Sequence, residues 1–138
     1  MELDKSKRYY YLSTWGANIH HFVIVIIALY MLINPKCKDP YPFQHLSDDV
    51  CLMQVDKDHV RALLITSSYL TYDFIVQYFL VADFGPLGVQ TMVHHVIVPL
   101  GTLSGIITGY GVTAVGMILL LVEISTIFLN YRSFYKKE

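Results

Sequence analysis

From residue 87 to residue 110 the chain carries no Asp, Glu, Lys or Arg. About 20 apolar residues in a helix cross the hydrocarbon of a bilayer, so this stretch is long enough to span one. It contains TMVHHVIVPLGTLSGIITG (91–109), with adjacent histidines at 94 and 95, Pro99, and glycines at 101, 105 and 109. Small residues at that spacing suit close helix contact, and polar groups in such a helix turn toward the bundle interior. Three other stretches read alike. Residues 12–33 form an apolar run stopped by Asn34-Pro35, residues 60–82 are interrupted by Asp73, and residues 112–130 by Glu123. The expected fold class is therefore an all-α membrane protein: four transmembrane helices, with both termini on the same side. A basic and aromatic lead-in (1–11), a loop (34–59) and a basic tail (131–138) complete the domain plan.

Composition agrees. Charged residues make up 15 % of the chain against about a quarter in soluble domains, and they gather at the two ends and in the one long loop. The net charge of −1 argues against a nucleic-acid partner. The first eleven residues are mostly polar or tyrosine, so the first span is expected to act as its own insertion signal rather than as a cleaved peptide. Lys5, Lys7, Arg8, Arg132, Lys136 and Lys137 lie on the terminal side, and Lys36, Lys38 and Lys57 in the loop. The excess favours termini in the cytosol or matrix. An integral protein of the mitochondrial inner membrane or the endoplasmic reticulum is expected. Cys37 and Cys51 share the loop and are read either as a disulfide or as two free thiols. A bridge there is worth about 3 kcal/mol in the chain-entropy model.

The ionisable residues within the spans are His20, His21, Asp73, His94, His95 and Glu123. His20 lies eight residues into the first span (20 − 12), Asp73 nine from the end of the second (82 − 73), His94 seven into the third (94 − 87), and Glu123 seven from the end of the fourth (130 − 123). The spans alternate in direction, so at about 1.5 Å per residue each group sits about 10–14 Å below one face. A lone charge at mid-bilayer costs at least about 2.5–3.5 kcal/mol, which a common cluster would offset. Helical spacing adds Thr66, Tyr69, Gln77 and Leu80 to the stripe of Asp73, and Gly116, Thr126 and Asn130 to that of Glu123. Gly101, Gly105 and Gly109 read as helix-contact positions. Adjacent helical side chains diverge by about 100°, so His94 and His95 do not readily serve one site. Pro99 lacks an N–H and frees the His95 carbonyl. A cluster that only fixes bundle geometry and one that performs chemistry are both compatible with these positions. No metal-binding motif such as HExxH occurs, and no metal or cofactor is expected beyond a bound phospholipid or sphingolipid.

STWGANIHH (13–21), SYLTYDF (68–74), MVHHVIVPLG (92–101) and LLLVEISTIFLNYRSF (119–134) together resemble the TLC family. That family includes translocation-associated membrane proteins, Lag-type ceramide synthases and small TLC-domain-containing proteins. The chain looks most like the fourth TLC-domain-containing subfamily, in a shortened form, since full TLC domains have more spans. The ceramide synthases pair their His-His with acidic residues, mostly aspartates, on a later helix, where this sequence offers Glu123, Ser125, Thr126 and Asn130. The resemblance implies one of two functions. One is a non-catalytic, lipid-binding accessory or structural subunit that packs against other membrane-protein subunits. The other is a ceramide-synthase-type acyltransferase in which His94 or His95 is the general base and Glu123 or Asp73 orients it. The shortened domain and the glycine stripe favour the subunit. The lipid- or polar-cluster set is then His20, His21, Tyr69, Asp73, Gln77, His94, His95, Glu123, Thr126 and Asn130.

Overall fold

A computed structural model describes residues 5–44, 47–109, 116, 122–128, 130 and 131. All regular structure among them is helical. Helix α1 runs Lys5–Ile33, α2 Asp49–Met53, α3 Lys57–Val76 and α4 Pro86–Thr108. A π-helical turn, Gln77–Val81, extends α3 without a break. Residues 122–128 are also helical. Most of the fourth expected span, both chain ends, and hence the expected sidedness of the termini fall outside the described residues.

Two segments, Lys7–Ile33 and Pro86–Thr108, are long and apolar enough to cross a membrane. The helix of α1 starts at Lys5, so residues 5–11 of the expected lead-in are helical and continuous with the first span. Helix α3 lies between α1 and α4 and contacts both. Its packing on α1 is made by Ile24, Ala28 and Met31 against Ala62, with Ile27 at the edge. Small residues at 28 and 62 let the two backbones approach closely.

The turns follow from local chemistry. Asp48 caps α2 by accepting from the Val50 and Cys51 amides at 2.9 and 3.3 Å. Asp56 caps α3 by accepting from the Asp58 amide at 3.0 Å. Such caps satisfy amide groups that a helix leaves unbonded at its start. Between α3 and α4 the chain reverses through Ala82, at a left-handed φ of 51°, to Pro86 at the first turn of α4. A side-chain carbon at Gly88 would sit 2.0 Å from the Asp83 carbonyl oxygen, so that turn admits only glycine there. At the other end of α4, Gly109 terminates the helix at φ 67°.

The π turn changes the register of α3. Spacing predicts Leu80 on the inward stripe, but Leu80 is 45 % exposed and Val81 is 5 % exposed. A π turn takes in one extra residue, which moves the buried position along by one. The glycine stripe also differs from expectation. Gly101 has no described atom within 4 Å of where a side chain would start, and Gly109 is a helix terminator. Neither is a helix-contact position among the described residues.

The loop folds back onto the end of α1 through Phe43 N–H donating to the Leu32 carbonyl at 2.8 Å. Cys37 and Cys51 are joined in a disulfide, with their Cα atoms 5.6 Å apart. Lys36 pairs with Asp58, and Arg61 Nη1 lies 3.1 Å from Asp58 Oδ1. The hydrogen bond with Asp58 raises the Lys36 pKa, and the same bond lowers that of Asp58. A hydrogen bond from Gln44 lowers the Asp48 pKa. His59, fully buried, places Nδ1 3.2 Å from Asp56 Oδ2 and closes the base of the loop.

Replacing both cysteines with serine is expected to lower stability by about 3 kcal/mol. Thermal unfolding with and without reductant measures it: the wild type should fall to the level of the double variant on reduction, and that variant should not respond.

Candidate functional site

Ser13, Ala17 and His21 recur every four residues along α1 and are all buried. Through them α1 presents a hydroxyl and an imidazole to α3 and to residues 122–128. His21 Nδ1 lies 2.7 Å from Glu123 Oε2, with exposures of 2 % and 1 %. Ser13 Oγ donates to Asp73 Oδ1 at 2.6 Å, and Gln77 Nε2 donates to Ser13 Oγ at 3.0 Å. Gln77 opens the π turn, so the altered register of α3 begins at the residue that completes this relay.

Helix α4 supplies the other two imidazoles. His95 Nδ1 lies 3.5 Å from Asp73 Oδ2, and His94 Nε2 lies 3.8 Å from Glu123 Oε1. The adjacent histidines diverge, as helical geometry requires, and each reaches a different carboxylate. The result is two linked pairings: Glu123 between His21 and His94, and Asp73 between Ser13 and His95. His95 is buried, whereas the His94 side chain is 34 % exposed and is the open member of the cluster.

His20 packs on an aromatic ring of α3. Its ring stacks on Tyr69 with centroids 4.1 Å apart and planes 11° apart. Tyr69 also meets His21 edge-on at 6.4 Å. Thr126 and Asn130 are half-buried and join neither pairing. Ser13 is the main member that spacing left out of the candidate set. Its signal is the eight-residue interval to His21, two four-residue steps through Ala17, which sets the two on one face. Thr66 and Thr102 are buried as well. No group of three His, Cys, Asp or Glu side chains among the described residues is arranged to hold a metal ion.

The outer faces are the inverse of a soluble protein's. Trp15, Ile19, Phe22, Ile26, Leu29 and Tyr30 on α1, and Val93, Ile97, Leu100, Leu103 and Ile107 on α4, are exposed. Ser13, Thr14, His21, Thr66, Asp73, His95, Thr102 and Glu123 are buried. Helices polar inside and apolar outside are stable when hydrocarbon is the solvent.

An open apolar groove of about 720 Å³ runs along the side of α1. Tyr11, Trp15, Asn18, Ile19, Phe22 and Val23 line one wall, and Ile127 and Tyr131 the other.

A family model for the TLC domain matches residues 13–137, which is nearly all of the chain. No curated protein and no solved structure matches it.

Removing one partner of a buried pair leaves the other charge without compensation, at a cost of about 3–5 kcal/mol. His21→Ala is therefore expected to destabilise the protein by about that much. The His21→Ala, Glu123→Ala double variant should be less destabilised than the sum of the two single changes. Unfolding in bicelles on the four-member cycle measures the coupling, and strict additivity would mean that the contact contributes nothing.

Proposed function

The chain belongs to the TLC-domain family and is a membrane lipid-associated protein; from that premise we propose that it is a non-catalytic accessory or structural subunit. It would be a four-helix bundle that seats a lipid chain in the groove of α1 and packs against other membrane proteins. The observation that carries this reading is the separation of groove from cluster. The buried stripe of α1 runs through Ser13, Ala17 and His21, and the groove runs through Tyr11, Trp15, Ile19 and Phe22 on the opposite face. Apart from Asn18, the indole N–H of Trp15 and the hydroxyls of Tyr11 and Tyr131, the side chains of the groove wall are apolar. A lipid seated there is held without meeting a general base. The cluster meanwhile sets the rotation of each helix, a role that interior polar groups serve in bundles. The loop disulfide suits a compartment where disulfides persist, the lumen of the endoplasmic reticulum or the intermembrane space.

One observation favours a catalytic reading. Asp73 is held on one oxygen by Ser13 and faces His95 with the other, and the cluster opens at His94. A base with an orienting carboxylate suits acyl transfer. An imidazole would take the proton of an amine or hydroxyl, whose oxygen or nitrogen attacks an acyl thioester and expels the thiolate.

The two readings separate on a single set of variants. Protein taken from native membranes in nanodiscs should retain lipid and the same partner proteins, by mass spectrometry, in wild type and in the His94→Ala, His95→Ala variant. Ile19→Trp with Val23→Trp, which fills the groove from exposed positions, should lose most of that lipid. Acyl transfer by the wild type that vanishes in the histidine variant would overturn the accessory reading.

A further inference from the structure

The groove has a cation above it on the same helical stripe. Arg8 lies three residues before Tyr11, seven before Trp15, eleven before Ile19 and fourteen before Phe22, all within α1. Those intervals keep one face of a helix, which places Arg8 on the groove's stripe one turn before its first lining residue. Lys7 is also exposed and is rotated about 100° from Arg8, four residues before Tyr11 and so at the edge of the same stripe. The lined part runs from residue 11 to residue 23, about 18 Å at the helical rise. That is close to the hydrocarbon depth of one leaflet, half of about 30 Å. Tyr11, Trp15 and Tyr131 are amphipathic aromatics near the mouth, the type that settles at the headgroup level.

Resting on the lipid-seating reading above, we propose that the occupant is an anionic phospholipid of the leaflet on the Arg8 side. Its phosphate pairs with Arg8 and one acyl chain lies along Trp15, Ile19 and Phe22. A guanidinium binds a phosphate through two parallel N–H donors, which a point-charge lysine does not reproduce. A zwitterionic lipid gains less at Arg8, because its own cationic headgroup competes for the phosphate. The cluster of Asp73 and Glu123 lies on the other face of α1 and takes no part.

Trp15 is the only tryptophan in the sequence and it lines the groove, so its emission reports the site directly. The purified protein is reconstituted in dioleoyl phosphatidylcholine with increasing fractions of phospholipid brominated on its acyl chains, either phosphatidylglycerol or phosphatidylcholine. Brominated phosphatidylglycerol should quench Trp15 at lower mole fraction, with a relative association constant about fivefold higher, the ratio that one near-surface cation confers. Arg8→Gln should bring that ratio close to one, while Lys7→Gln should leave most of it. Equal quenching by both lipids overturns the headgroup assignment and leaves the groove a lipid seat. Equal loss in the two variants reduces the preference to general surface attraction and also overturns it. If neither lipid quenches Trp15, protein covers the groove, and the lipid-seating reading falls with the proposal.

Discussion

Two carboxylates buried among apolar helices set the terms for the rest of this protein. Asp73 and Glu123 have almost no contact with solvent, and each carries a cost that its own helix does not offset. Their partners come from elsewhere in the chain: Ser13 and His21 from α1, His94 and His95 from α4. A pairing between helices is satisfied at only one combination of depth and rotation. Meeting four of them together fixes how α1, α3, α4 and residues 122–128 face one another. The apolar contacts, such as Ala28 and Met31 against Ala62, are less selective, because lipid is as good a neighbour for them as another helix.

Much of this could be read before any coordinates. Depth follows from counting residues along alternating spans, and that count puts His21, Asp73, the His94–His95 pair and Glu123 at a common level, where the structure brings their side chains into contact. Rotation was harder. Deciding between His20 and His21 requires the phase of α1, and only the Ser13, Ala17, His21 interval carries it. The split of His94 and His95 between two carboxylates follows from the 100° step, but which histidine takes which does not.

Two misreadings have definite causes. The stripe on α3 slips at Leu80 because a π turn inserts a residue, and nothing in QYFLV announces one. The glycines of α4 looked like a contact seam because their spacing is that of a seam. Gly109 is there for its positive φ, and Gly101 has no described atom within 4 Å of where a side chain would start. Glycine serves several ends, and spacing does not separate them.

The two faces of α1 explain why one helix can serve stability and ligand binding without conflict. Its polar stripe is consumed by Asp73 and Glu123, so changes there act on the fold. Its apolar stripe forms one wall of an open groove, with Ile127 and Tyr131 opposite, where a chain from the bilayer has room to lie. Glu123 and Ile127 are one turn apart on the same helix, which means that the His21–Glu123 contact also sets the position of the groove's far wall. The interior pairing thereby determines the width of the groove, although no atom of the cluster lines it.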